Sequence, residues 1–554
     1  MRETIIDLLN NSVNNLLERI LPSYTAEDFQ INLEPTKNKE HGDLYSNIAF
    51  TLSKKLKRNP FDVANEIISN INFKSEFINK VKVEPPGFIN FFFSDLYWQG
   101  ILDSIINKAN KYGHCSIGQG KKVLIEFVSA NPTGPLHIGH GRCAAFGDTL
   151  ANLLKMAGYN VFKEYYINDA GRQIKLLAKS IFSRYKQILN IQSELPEDGY
   201  HGEYIKDIAF EIYKEHGNSF LSFSHEEIVN VFSQIASKKI IKNICNDLKI
   251  FRVNFDNWFR ESYLYEKGEV NTALSILQEK GFIYEKDGAK WMKAALLGDQ
   301  KDRVIIRSNG EPTYFASDIA YHKNKYERDY KKIIDIWGAD HHGYMGRIKA
   351  VLRALNYEEK SFSVLLVQMV KLIRNGIQVN MSTRKGTFTS LEDVLNEVGP
   401  DAARFFFLLR RHDSHLEFDL DLAKKKSAEN PVYYCQYAYA RICSIERKAK
   451  SEGIPIADFK ADSSFLKLEE EKELIKKLHI YPYIIINSAQ ALEPHRITFY
   501  LIELSTLFHK YYNAYRIISD DQMITLARIK LIRAIKIVIN SCLSLLGVFA
   551  PEKM

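Results

Sequence analysis

Residues 123–142 read VLIEFVSANPTGPLHIGHGR. The run from Val123 to Val128 is mostly apolar and β-branched, the composition of a buried parallel strand. Asn131, Pro132, Gly134 and Pro135 then exclude regular structure, so the chain must turn. From about Ile138 onward, Cys143, Ala144, Phe146, Leu150, Leu153 and Leu154 recur at helical spacing. A strand, a Gly/Pro loop and a helix start are what a nucleotide site in an open α/β sheet requires. The helix start offers unpaired N–H groups and partial positive charge to an anion. His137 and His140 lie three apart across Gly139, so both rings face one side of the first turn and reach one phosphate chain. Gly139 leaves room for a flat ring or a ribose against the backbone. Taken alone, the same residues also allow a turn with two surface histidines.

Composition sets the bounds. A chain of 554 residues exceeds one ordinary core and predicts three or four domains. A hydrophobic content of 45% and a charged content of 26% are those of a soluble globular protein. The net charge of +8 permits a polyanionic partner without demanding one. The six cysteines form no CxxC pair and have no histidine at zinc spacing, so they read as reduced core thiols of a cytoplasmic protein. The amphipathic N-terminus contains acidic residues, unlike a signal peptide. No apolar run reaches the ~18 residues of a membrane span.

Ile5, Leu8, Leu9, Val13, Leu16, Leu17 and Ile20 form a helical stripe ending at Pro22, and KVKVEPPGFINFFFS reads as strand-like sequence closing a small first domain. HGDLYSN (residues 41–47) lies before a helix, where Asp43 reads as a cap. Tyr159 to Ile167 is a second buried strand running into NDAGRQ, another loop-to-helix junction. Residues 174 to about 300 read as a mostly helical insertion. The sheet then resumes with a strand at Val304–Ile306, a turn at Asn309-Gly310 and a return through Tyr314-Phe315. KIIDIWGADHHGYMGRIKAVLRAL repeats the strand–loop–helix pattern, with Asp340 at a strand end suited to a ribose hydroxyl. His341 and His342 lack a third metal ligand. A strand pair, LLVQMVKLI and GIQVNM, leads into a basic loop with Ser382, Thr383, Arg384, Lys385 and Gly386. After Asn430-Pro431 the chain reads as a helix rich in tyrosine and cations, then two long helical tracts. Its aromatics suit either base stacking or a bundle core.

The segment 130–140 resembles the HIGH signature of class I aminoacyl-tRNA synthetases, and EFVSANPTGPLHIGHGR resembles its arginyl-tRNA synthetase form. VNMSTRKGTFTSLEDVL (residues 379–395) resembles the KMSKS loop, although Asn380 and Thr383 stand where both lysines would be. The resemblance implies a multidomain α/β protein. Residues 1–110 would form an α+β N-terminal domain touching tRNA, 111–430 a Rossmann-type catalytic domain, and 431–554 an α-helical anticodon-binding bundle. It implies formation of arginyl-adenylate from L-arginine and Mg2+-bound ATP, then transfer to tRNA, by a monomer without a structural metal. His137, His140, Arg384 and Lys385 would be catalytic. Pro135, Leu136, Ile138, Gly139, Gly338, Asp340, His342, Met381 and Ser382 would bind ATP. Glu126, Ser129, Asn131, Tyr314, Asp318 and His341 would bind arginine; Tyr45, Asn47, Tyr434, Tyr437, Arg441 and Met554 would meet tRNA. A small-molecule nucleotidyltransferase with HxGH, or a non-catalytic tRNA-binding paralogue, are the rival readings.

Overall fold

The computed structural model describes residues 2–29, 31–36, 38–71, 76–169, 171–379, 389–456 and 461–554. At its centre lies a five-stranded parallel sheet made of β1 (Lys122–Glu126), β2 (Asn160–Ile167), β3 (Asn257–Arg260), β4 (Lys332–Gly338) and β5 (Phe362–Val367). Their spatial order is β5-β4-β1-β2-β3, the doubly wound arrangement. Strand order reverses on either side of β1, so the crevice at its carboxyl end is where such sheets place a ligand. Val123, Leu124 and Ile125 are fully buried, because helices cover both faces of a parallel sheet.

Helix α1 (Ile138–Met156) follows the Gly/Pro loop, as its periodicity predicts. It is nearly all buried, since it lies between the sheet and the helical C-terminal region. Helices α2 (Arg172–Ile188), α3 (Glu203–His216) and α4 (His225–Ile250) form the insertion. The insertion is less helical than its sequence suggests: β3 returns to the edge of the parallel sheet. Ile283–Lys286, Ala289–Met292 and Arg303–Ile306 make a separate three-stranded antiparallel sheet.

The return strand at Tyr314-Phe315 is a second correction. Pairing across the Asn309-Gly310 turn is short: Ile306 bridges Pro312, and the Arg307 and Thr313 amides donate to the Glu311 and Ile305 carbonyls, each at 2.9 Å. Tyr314 then opens α5 (Tyr314–Glu327). The Thr313 hydroxyl donates to the Val304 carbonyl at 2.9 Å, which pins the helix start to the preceding strand. LLVQMVKLI also divides, its first half completing β5 while Val370–Arg374 pairs with Leu416–Asp419 in another sheet. Helix α6 (Met345–Leu355) follows β4, and α7 (Leu391–Phe407) is broken at Gly399, before Pro400.

The N-terminal unit is a four-stranded antiparallel sheet packed on helices; Ile5, Leu9, Val13, Leu16 and Leu17 of the predicted stripe are buried, whereas Leu8 is half-buried and Ile20, at the helix end, is exposed. Asp43 caps no helix. Its carboxylate accepts from the Phe93 amide at 2.9 Å and from Lys476 of the helical region at 2.8 Å. Asp95–Lys108 packs into the core shared with the helical region, although it precedes residue 110, the predicted boundary. The C-terminal region contains α8 (Pro431–Ser451), α9 (Glu469–His479), α10 (Tyr481–Ala491), α11 (His495–Ala514) and α12 (Gln522–Leu546). Among the described residues four α-helices therefore follow α8, where the sequence predicts two long tracts; Pro482 and Pro494 fall at the starts of α10 and α11. No helix among the described residues is long and apolar enough to cross a membrane.

Candidate active site

His137 is the N-cap of α1, and it makes the capping bonds with its own ring. Its Nδ1 accepts from the amides of Gly139 and His140 at 3.1 and 3.3 Å, and the His137 amide donates to Nδ1 of His140 at 3.2 Å. Both Nδ1 atoms are thus acceptors, so a neutral ring carries its proton on Nε2. The rings stack, with centroids 3.6 Å apart and planes 18° apart. Burial lowers the pKa of His137 and lowers that of His140 well below the ordinary imidazole value. Two neutral Nε2–H donors therefore stand side by side. The expected free amides of the helix start are largely consumed by this cap, and the rings take over as donors.

The two rings line a cleft of about 1590 Å3, together with Asn131, Pro135, Tyr200, Glu261 and Tyr314. Asn131 donates to Gln173 at 2.8 Å across its mouth, and Tyr204 donates to the Thr133 carbonyl at 2.7 Å. Leu136 and Ile138 instead have their side chains buried in the core, at 0% and 2% exposure, which leaves only their main chain for contact with a ligand. Gly338 begins the turn Ala339–Tyr344, on which Asp340, His341 and His342 are exposed. The Asp340 charge acts on His137, raising the pKa that burial lowers.

On α5, Tyr314 is 44% exposed towards the cleft. Asp318 lies one turn on and accepts from the Tyr344 hydroxyl. Burial pushes its carboxyl up; the Tyr344 bond and the charges of His322, Lys325 and Arg347 oppose the shift. Beside it is Glu261, which follows β3 and was not singled out from the sequence. Burial raises its carboxyl to about 7, with Asp318 and Asp169 adding repulsion. This acidic wall, faced by Tyr166 and Tyr265, suits a planar cation with several donors. An isolated glutamate in a region read as helical filler gave no signal of its own; the aromatic run NWFRESYLY around it was the available hint.

Glu126 lies behind the cleft rather than in it. It is 6% exposed, and its oxygens are taken by the Ser129 hydroxyl at 2.8 Å and by Lys325. Among the tRNA candidates, Tyr45 is half-buried and donates to Glu34 at 2.8 Å, while Asn47 is exposed. Arg441 lies over the rings of Tyr437 and Tyr512, at 4.3 and 4.7 Å. The Tyr434 ring packs on His509, and Met554 is exposed. Met381, Ser382, Arg384 and Lys385 fall outside the described residues. The chain on the far side of them returns to the cleft: Ser390 bridges His137, and the Leu391 amide donates to the Leu136 carbonyl at 2.7 Å. No cluster of three His, Cys, Asp or Glu among the described residues is placed to hold a metal.

Three family models match the chain. Residues 3–93 match the arginyl tRNA synthetase N terminal domain, 101–410 the catalytic domain of class I (R) tRNA synthetases, and 435–554 the DALR anticodon binding domain. The chain is 47% identical to the arginine–tRNA ligase of Syntrophotalea carbinolica, over 95% of each protein. It is 45% identical to that of Desulfosudis oleivorans over 100% of both. The structure of Thermus thermophilus arginyl-tRNA synthetase shares the fold, with a TM-score of 0.76 at 21% identity over 99% of each chain. The chain belongs to the arginine–tRNA ligase family of class I aminoacyl-tRNA synthetases and uses ATP to join arginine to tRNA.

Proposed function

We propose that arginine activation takes place in the cleft between the stacked histidines and the acidic wall. The arginine guanidinium lies against Asp318, Glu261 and Tyr314, while its α-amino and carboxylate end meets Asn131 and Ser129. ATP enters as its Mg2+ complex, for which phosphate oxygens and water supply most of the ligands without a protein cage. The arginine carboxylate attacks the α-phosphorus and pyrophosphate leaves. The Nε2–H groups of His137 and His140 donate to the charge that builds on the phosphate oxygens. The adenine and ribose lie along Pro135, Gly139 and Gly338, with Asp340 or His342 reaching the ribose. A tRNA ribose hydroxyl then attacks the adenylate carbonyl, and AMP leaves.

Arg384 is assigned to the leaving pyrophosphate, since its fork suits phosphate and Thr383 offers no charge in place of the usual lysine. Lys385 is the other cation of that loop. Tyr45 and Asn47 face the outer part of the tRNA, and Tyr434, Tyr437, Arg441 and Met554 its anticodon arm. The enzyme acts as a cytoplasmic monomer, with domains at 1–110, 111–430 and 431–554.

The observation that carries this reading is that one cleft is lined by the paired neutral imidazoles and by the buried Glu261, with Asp318 beside that carboxylate. ATP–pyrophosphate exchange with tRNA present, run across the amino acids, should proceed with arginine alone. Asp318→Asn should raise the arginine KM by at least about tenfold, because a charge-assisted bond becomes a neutral one, and should leave the ATP KM nearly constant. Exchange with another amino acid, or an unchanged arginine KM, would place the pocket elsewhere.

A further inference from the structure

Beneath the cleft, four ionisable side chains meet where α5 crosses β1 and β4. Lys325 is fully buried; its ammonium donates to Glu126 on β1 and, at 2.7 Å, to Asp335 on β4. The other Asp335 oxygen faces His322 Nε2 at 3.1 Å, and His322 Nδ1 faces the Asp318 carbonyl oxygen at 2.8 Å. Both ring nitrogens of His322 thus have an oxygen at hydrogen-bond distance, which holds the ring at both edges. His322 is 3% exposed and Asp335 0%. Lys325 thus meets two carboxylates, one of which also faces His322, in a water-poor interior where such contacts fix geometry tightly.

Each end of the cluster holds a part of the cleft. His322 and Lys325 lie on the helix that carries Tyr314 and Asp318. Glu126 holds the Ser129 hydroxyl, which also accepts from the Tyr166 amide at 3.1 Å. Val128 and Ser129 stand at φ +68° and +40°, a left-handed conformation unfavourable for both and most of all for a β-branched valine. These bonds hold the turn that leads to Asn131.

We propose that the Glu126–Lys325–Asp335–His322 cluster is a positioning device that sets the side-chain length the pocket accepts. It fixes the distance between the guanidinium end of the cleft, on α5, and the α-amino end, on the turn after β1. The proposal rests on the arginine pocket described above. A methylene too many in a plain apolar pocket is rejected only about 10–200-fold. Here a length mismatch draws a charged group away from its partner, and rigid walls prevent compensation.

The test uses the full-length enzyme with tRNA, comparing exchange with arginine against homoarginine, one methylene longer, and norarginine, one shorter. His322→Gln and Lys325→Met should each reduce the preference for arginine over both analogues by about tenfold or more, raise the arginine KM, and leave the ATP KM within about twofold. A general structural defect would lower all substrates together. Thermal melts establish folding; should Lys325→Met not fold, His322→Gln decides alone. Unchanged preference in the folded variants, or parallel loss for ATP and every amino acid, overturns the proposal. Asp318→Asn is the control: if it leaves the arginine KM unchanged, the pocket assignment itself fails, whereas a raised KM there with intact length preference in the cluster variants removes only the positioning role.

Discussion

At the scale of single residues, His137 and His140 do two jobs with one ring each. Nδ1 serves the helix cap, and in the proposed mechanism Nε2 donates to the substrate. Removing the second donor by His140→Ala should slow single-turnover adenylate formation by about 10²–10³, the usual loss for one transition-state donor. Arginine affinity should change little; an unaltered rate would mean that the ring serves only the cap. Glu261 gives a pH signature. Its carboxyl is raised to about 7 by burial, so the empty pocket holds a proton there below that pH. A guanidinium prefers the carboxylate, so arginine binding must expel this proton in acid. The arginine KM should therefore rise as pH falls below about 7, approaching tenfold per unit. Glu261→Gln should flatten the profile, and a profile that survives the substitution would assign the titration to another group. The histidines were legible because strand, loop and helix lie in one continuous stretch. Glu261 was not, because its partners Asp318, Ser317 and Asp169 are brought to it only by the fold.

At the scale of elements, the β1–loop–α1 unit follows its sequence pattern closely, since a continuous apolar run and a helical periodicity are both set by neighbouring residues. The strand predicted at Tyr314-Phe315 failed for a tertiary reason. Thr313 ties back to Val304, and Phe315, in the first turn of α5, is buried in the core on which that helix packs. The same misreading hid the positions of His322 and Lys325, which become meaningful only as successive turns of α5. Close packing of α1 on the sheet rests on Gly147. A Cβ there would lie 2.4 Å from the Phe127 ring, next to Glu126 and the left-handed turn. Gly147→Ala should destabilise the protein by about 1–3 kcal/mol despite its better helix propensity. Denaturant unfolding followed by the loss of activity would show it. A neutral or stabilising effect would mean that Phe127 yields at little cost, and that the turn after β1 is less tightly held than its contacts indicate.

At the scale of the whole molecule, the helical region is not an appendage that can be cut away. Arg404 of α7 is fully buried and donates to the Leu546 and Phe251 carbonyls at 2.7 and 3.0 Å and to Asp148 of α1 at 2.7 Å. One continuous core runs from β1 through α1 to α12. Truncation before Pro431 would strip an apolar face from the catalytic unit, so its tRNA role is better tested by point substitution. The tyrosines of α8 divide by burial: Tyr439 is a core residue, whereas Tyr434 and Tyr437 are half-buried, a distinction that spacing alone left open. Arg441 is held by the Tyr437 and Tyr512 rings and donates to Asn513 at 3.4 Å, which presents a pre-ordered guanidinium at little further entropic cost. If it stacks on an unpaired base of the anticodon arm, Arg441→Ala should raise the KM for tRNA by about tenfold, in line with ~1–3 kcal/mol per stacked base. Exchange at saturating tRNA should keep its arginine and ATP constants. The salt dependence separates stacking from a phosphate contact: loss of a phosphate-binding cation lowers the salt slope by about one, and loss of a stacking plane leaves it unchanged. An unchanged tRNA KM would return Arg441, with the two tyrosines that flank it, to a purely structural role in the bundle.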